Sequence, residues 1–130
     1  MRLPIQVRYS DYDERGHVNN AVYLTYFELG RMQAWQRIAP GQETSFVVAE
    51  ARITYRSPAM PGEALVLDLS PGEVRTKAWV WKYRIAEAAT GRLVAEGETT
   101  QVAYDYATRT TVPISGELRE GLLSLGQEPA

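Results

Sequence analysis

Between Asp13 and Asn20 the chain reads Asp-Glu-Arg-Gly-His-Val-Asn-Asn. One carboxylate of this run, Asp13, can do chemistry in two ways. Held beside a polarised carbonyl, it can act as a general base toward water or attack directly as a nucleophile. Asn19 and Asn20 stand where a helix begins. The free N–H groups of a first helical turn, from about Asn20 to Val22, lie at the positive end of the helix dipole and suit an oxyanion. A loop aspartate alone is commonly a turn cap, and every helix start has such donors. What singles out this segment is a carboxylate only a few residues ahead of the helix, in a loop that must return to the same place. Asp11, two residues earlier, is read as a support for that loop. His17 is the only histidine and there is no cysteine. Thiolate nucleophiles, disulfides and thiolate zinc sites are thereby excluded. Neither a metal nor a cofactor is expected.

The elements that must position these residues follow from apolar periodicity. Residues 4–9 alternate Ile5, Val7 and Tyr9 against polar neighbours and predict a half-buried strand; residues 10–20 read as a loop. A helix then runs to Ile38, capped by Asn19 or Asn20. Tyr23, Tyr26, Phe27, Gly30, Ala34 and Ile38 fall within a sector of about 120°, one packing face. Gly30 implies that this face closely approaches whatever it covers. Ala39-Pro40-Gly41 ends the helix.

The rest of the chain reads mainly as strand. Over Phe46–Tyr55, the residues Val47, Ala49, Ala51, Ile53 and Tyr55 are expected on one face, with Glu50, Arg52 and Thr54 on the other. A strand at 64–69 should break at Pro71-Gly72. Residues 74–86 place Trp79, Trp81, Tyr83 and Ile85 on one face. Thr90-Gly91 signals a hairpin. Residues 92–106 form a long strand with Gly97 as a candidate bulge, a short strand covers about 110–114, and Ser115 caps a short final helix. The order β, α, then four or five strands predicts an α+β fold: an antiparallel five- to six-stranded sheet wrapped around one long helix. One helix cannot cover both faces of such a sheet, so a homodimer or homotetramer is expected.

Composition sets the remaining bounds. The 130 residues are 45% hydrophobic and 23% charged, with a net charge of −2. These values fit one globular domain over 1–130 and argue against disorder and a basic nucleic-acid footprint. The opening residues lack the apolar core of a secretory signal, and no apolar run approaches the ~20 residues that span a bilayer. A cytoplasmic protein without nucleic-acid partners or membrane insertion is expected.

The D-x-x-x-H-V-N-N-x-x-Y pattern over residues 13–23 resembles the acyl-CoA thioesterases of the hotdog fold. The resemblance is to the long-chain acyl-CoA thioesterase III branch and the wider 4-hydroxybenzoyl-CoA thioesterase-like group. Plant acyl-ACP thioesterases have a similar stretch, but their middle Asn is Arg15 here. Tyr55-Arg56-Ser57-Pro58 resembles the family's Y-R-x-P, and Gly116-Glu117-Leu118-Arg119 the start of its last helix.

The resemblance implies the hotdog fold, an oligomer, no metal, and hydrolysis of an acyl-CoA thioester to acid and CoA. Asp13 is then the catalytic carboxylate, as base or nucleophile, and His17 shapes the site. The oxyanion is held near Asn20, and Asn19, Ala21 and Tyr23 contact substrate. Arg56, Arg75 and Lys77 bind the CoA phosphates, and Tyr23 and Phe27 line the acyl pocket. Glu50 faces either the site across a dimer or solvent. Two alternatives stand beside this reading, a non-catalytic acyl-CoA-binding module and an acyl-ACP thioesterase. Hotdog hydratases place their Asp and His one residue further apart, so that class does not fit.

Overall fold

The structure, a computed structural model, describes residues 1–128. Strand β1 (Arg2–Ile5) leads through a 3₁₀ turn at Tyr9–Asp11 and a loop to helix α1 (Val22–Ile38). Strands β2 (Phe46–Tyr55), β3 (Leu65–Val74), β4 (Ala78–Glu87), β5 (Leu93–Asp105) and β6 (Thr110–Thr111) precede helix α2 (Gly116–Gly126). The strands form one antiparallel six-stranded sheet in the order β1-β3-β4-β5-β2, with β6 on β5. The first strand lies earlier than the expected 4–9, at Arg2–Ile5: its ladder ends where Ile5 meets Leu65, the first residue of β3, and the chain then turns at exposed Tyr9.

Alternation on β4 decides which side of the sheet is interior. Trp79, Trp81, Tyr83 and Ile85 point to the helix side, as do Leu65, Leu67 and Leu69 of β3, all essentially buried. The expected stripe of α1 packs on them, and all six of its residues are buried. Gly30 has the expected reason: a Cβ there would lie 2.5 Å from Leu67 Cδ2. Trp35, outside the stripe, is buried as well. Its Nε1 donates to the Gln42 carbonyl (3.1 Å) and its ring lies against Phe46 and Trp79.

Several expectations are corrected. The sheet covers two helices, not one long one. The 17-residue α1 is joined by α2, whose Leu118, Leu122 and Leu125 are buried. Ser115 caps α2 as expected, its Oγ accepting from the Leu118 N–H (3.1 Å). Strand β3 runs through Pro71-Gly72. The Leu69 N–H donates to the Met1 carbonyl on the β1 side. Two residues on, Pro71 turns its missing donor to that same side, past the end of β1, where no ladder bond is lost. Gly97 is not a bulge. It pairs in register with Ile53 and Tyr83, and its lack of a side chain lets Phe27 lie on the sheet, stacked 4.1 Å from Tyr83.

The register shifts instead on β2, between Val48 and Glu50, on β3 just past Pro71, between Pro71 and Val74, and on the β4–β5 ladder between Ile85 and Ala86. Ala49 is the extra residue, so Phe46 and Val48 share the helix-side face with Ala51, Ile53 and Tyr55. Glu50, Arg52 and Thr54 fall on the outer face. That face carries a charged ladder, including Arg2–Asp68 (2.8 Å), Arg52–Glu98 (3.1 Å) and Arg56–Glu96 (3.1 Å). The tryptophans and Tyr83 lie under the helices, while Val47, Val66, Val80 and Val102 fall on the outer face beside these charges.

Candidate active site

Residues 11–19 form a small ribbon. The Asn19 N–H donates to the Asp11 carbonyl (2.8 Å), Tyr12 bridges Val18, and the Asp13 N–H donates to the His17 carbonyl (2.7 Å). A turn closes it, with the Gly16 N–H on the Asp13 carbonyl (3.0 Å) and Gly16 at φ 82°. That left-handed backbone is one glycine adopts without a Cβ penalty. Asp13 and His17 thus stand opposite each other beside the turn. Asp13 Oδ1 accepts from the N–H groups of Arg15 (2.9 Å) and His17 (3.3 Å). Its Oδ2 accepts from no group among the described residues. Asp13 therefore caps its turn with one oxygen and keeps the other free.

The helix start differs from the expectation in one respect. The residue preceding α1 is Ala21, already helical in backbone and unable to cap. Asn19 caps from further back, Oδ1 accepting from the Ala21 N–H (3.0 Å) and its carbonyl from the Val22 N–H (3.0 Å). Two of the expected oxyanion donors, Ala21 and Val22, are thereby spent. The Asn20 N–H has no acceptor among the described residues. The carbonyl of Asn20 accepts from Tyr55 Oη (2.7 Å), which ties the helix start to the end of β2.

Asp13, His17, Asn20, Tyr23, Tyr55 and Arg56 line one open cavity of about 360 Å³. Five of these six are sequence-predicted site residues. Tyr55 is the addition; its signal was its place in the Tyr-Arg-Ser-Pro run. Arg56 sits at the rim, paired with Glu96. One wall is held by Arg92, which donates to Glu63 (2.8 Å), the Pro58 carbonyl (3.1 Å) and Ser57 Oγ (3.1 Å). Those Arg92 bonds hold the Glu63 carboxyl down at about 2. Larger hollows lie over the outer face and between β1 and α1. The carboxylates of the outer hollow, Asp68 and Glu87, are engaged by Arg2 and Thr90; the smaller cavity is the one that Asp13, His17 and Asn20 share.

Asp11 differs from Asp13 in every respect. It is 1% exposed, and it accepts from the Arg8 N–H (2.9 Å), Arg8 Nη2 (2.9 Å) and Nε (3.1 Å), and Tyr26 Oη (2.8 Å). Desolvation pushes its pKa up; the donors from Arg8 and Tyr26 outweigh it, and the carboxyl lies below its ordinary range. Burial first, and then Asp11, push the Tyr26 phenol well above its ordinary value.

Other expected residues are not in the cavity. Arg75 and Lys77 flank the β3–β4 turn beside Ala78, which pairs with Val102, itself opposite Val47. Tyr55 is at the other end of β2, about 26 Å away at strand rise. Arg75 is paired with Glu73 (3.0 Å), and its carbonyl accepts from Arg119. The single chain does not bring these two cations to the site. Glu50 is exposed on the outer face. Phe27 is fully buried against Tyr83, as core and not as cavity lining.

Residues 7–122 match the model of the thioesterase-like superfamily. The chain belongs to this superfamily. The chain is an enzyme of the thioesterase class with the hotdog fold. It is 31% identical over 127 residues to the long-chain acyl-CoA thioesterase FadM of Escherichia coli strain K12, covering 94% of this chain and 96% of FadM. It is 27% identical over 110 residues to the acyl-CoA thioester hydrolase YbgC of Escherichia coli O6:H1, covering 80% and 81%. A Thermus thermophilus thioesterase, solved with coenzyme A and zinc, superposes with a TM-score of 0.88. It is 29% identical, covering 99% of this chain and 96% of that one. Every sequence-predicted site residue lies inside the matched superfamily span.

Proposed function

We propose that the chain hydrolyses acyl-CoA thioesters to the free acid and CoA, as one hotdog domain over 1–130, in the cytoplasm. The observation that carries this reading is that the free Oδ2 of Asp13 and the unspent N–H of Asn20 belong to one cavity. A thioester carbonyl whose oxygen takes the Asn20 N–H is polarised where a carboxylate waits. Asp13 then either removes a proton from an attacking water or attacks the carbonyl carbon to give a mixed anhydride that water opens. Either way the C–S bond breaks and the thiolate leaves. A thiol of pKa about 8.5 is a good leaving group near neutral pH, so one carboxylate suffices to return the proton. His17, whose backbone N–H holds Asp13, shapes the site beside it. Among the described residues no helix is long and apolar enough to cross a membrane.

The nucleotide end of CoA leaves past Arg56. Arg75 and Lys77 join it only from a second copy. Strand β2 has one unpaired edge, and Val48 and Tyr55 are exposed on it. Antiparallel pairing of two such edges sets the Phe46 end of one copy beside the Tyr55 end of the other. This supports a homodimer, or a tetramer built from it. The test is release of free thiol from a panel of acyl-CoAs by the purified protein, followed with a thiol-reactive dye. Turnover at enzyme-catalysed rates supports the reading. Binding of acyl-CoA without thiol release would make the protein a binding module.

A further inference from the structure

Two aspartates, two residues apart, have opposite surroundings. Both oxygens of Asp11 are saturated: Oδ2 takes the Arg8 N–H and Tyr26 Oη, and Oδ1 takes the Arg8 guanidinium. It is sealed from water and has no lone pair to offer a substrate. Asp13 has one oxygen committed and one free. A buried carboxylate is costly unless it is fully hydrogen-bonded, so what Asp11 holds together matters. Three segments meet on it. Arg8 belongs to the chain arriving from β1. Tyr26 belongs to α1, one turn past its start. Asn19, on the returning arm of the ribbon, donates its N–H to the Asp11 carbonyl.

The Asp11–Asn19 rung is the last of the ribbon before the helix. Asp13 hangs from one arm of that ribbon and Asn20 continues the other. The returning arm is anchored by buried Val18, whose N–H donates to the Ala59 carbonyl (3.1 Å), and by Asn19 at the helix start. On the arriving arm, which carries Asp13, Asp11 is tied to α1 through Tyr26, itself buried against Tyr23 (ring centroids 5.9 Å).

We infer that Asp11, through Tyr26 and Arg8, positions the free oxygen of Asp13 against the Asn20 N–H, making Asp11 and Tyr26 positioning residues of the hydrolysis. The inference rests on the role proposed above for Asp13. Reacting groups misplaced by about 1 Å lose on the order of 10²-fold in rate, so an anchor remote from substrate can govern turnover.

Asp11→Asn removes a buried charge and can fail to fold. Tyr26→Phe keeps the ring and its packing and loses only the hydroxyl, so it is the deciding variant. Assayed well below its melting temperature, Tyr26→Phe should lower kcat at least about 5-fold with KM changed less than about 2-fold. Added to Asp13→Asn, the same change should alter the residual rate by less than about 2-fold, because the group it positions is already gone. Unchanged kcat in Tyr26→Phe overturns the inference. So does an equal loss in both backgrounds, which would mean a general loosening. If the residual rate of Asp13→Asn is too low to measure, the kcat–KM split alone decides. Full activity in Asp13→Asn would defeat the proposed role of Asp13 and this inference with it. A slow Asp13→Asn beside a normal Tyr26→Phe would defeat this inference alone.

Discussion

The hydroxyl of Tyr55 donates to the carbonyl of Asn20 across 2.7 Å, joining the last residue of β2 to the start of α1. The two residues are 35 apart in sequence. The bond holds the Asn20 backbone, whose N–H is the unspent donor of the cavity, and the Tyr55 ring also lies edge-on to Tyr23 at 5.6 Å. Because β2 is an edge strand, anything that pairs with it acts on the helix start through Tyr55.

Tyr55→Phe is therefore expected to lower kcat by about 3–10-fold, below the roughly 10²–10³-fold seen when an oxyanion donor itself is removed. Tyr55 is 46% exposed, so the stability cost should stay within about 1 kcal/mol. Steady-state kinetics and a thermal melt of the same preparation check both parts. An unchanged kcat would mean that the Asn20 backbone is held by other contacts.

Two glycines should respond differently to alanine. At Gly97 a Cβ meets the backbone oxygen of Arg52 and the Phe27 ring; at Gly30 it meets the flexible end of Leu67. Backbone cannot yield as a leucine methyl can. Gly97→Ala should cost about 1–3 kcal/mol or more by overpacking. Gly30→Ala should cost less, since it also gains about 1 kcal/mol of helix propensity. Melting temperatures should fall in that order.

Acid should loosen the cavity wall. The Glu63 carboxyl is held at about 2, against an ordinary 4.5, first by the Arg92 hydrogen bonds and then by the Met60 N–H. A pKa lowered in the folded state stabilises above the unfolded value and loses that contribution as pH falls through the folded one. The Glu63–Arg92 contribution is thus whole above about pH 4.5 and gone near pH 2. The melting-temperature gap between the parent and Glu63→Gln should be present at about pH 6 and shrink toward about pH 2.5. A constant gap would show that the charge is not what holds the wall.

Replacing both Arg75 and Lys77 with Ala should raise KM for acyl-CoA and leave kcat largely intact. A pantetheine thioester, lacking the nucleotide, should be indifferent. Since the two cations sit at the far end of their own chain, the effect also requires a second copy; a monomer by light scattering would remove their role.

Local patterns carried most of what was legible in the sequence. The α1 stripe and the Ser115 cap depend on neighbours within a few residues, and they hold, as does the family that the Asp13–Tyr23 run pointed to. The failures depend on partners far along the chain. The β2 bulge shifts Phe46 and Val48 to the helix side because of how β5 opposes them. Pro71 stays in a strand because β1 has ended beside it. Gly97 is glycine because of Phe27 and Arg52. Of the expected donors from Asn20 to Val22, the Asn20 N–H alone is left unspent among the described residues, because Asn19 gives its two oxygens to the amides of Ala21 and Val22. Tyr55 was visible only as a motif residue, since nothing local says where its hydroxyl points.

The most direct measurement is the turnover of Asp13→Asn. The amide preserves shape and one acceptor oxygen for the turn, and removes the charge that activates water or attacks. General-base loss typically costs about 10²–10⁴-fold, or about 3–5 kcal/mol of barrier. Measured on one purified oligomeric form, Asp13→Asn should lose at least about 100-fold in kcat, still bind CoA and melt almost where the parent does. Asp11→Asn should lose much less, and His17→Ala should fall between them. Near-normal turnover in Asp13→Asn would contradict the account.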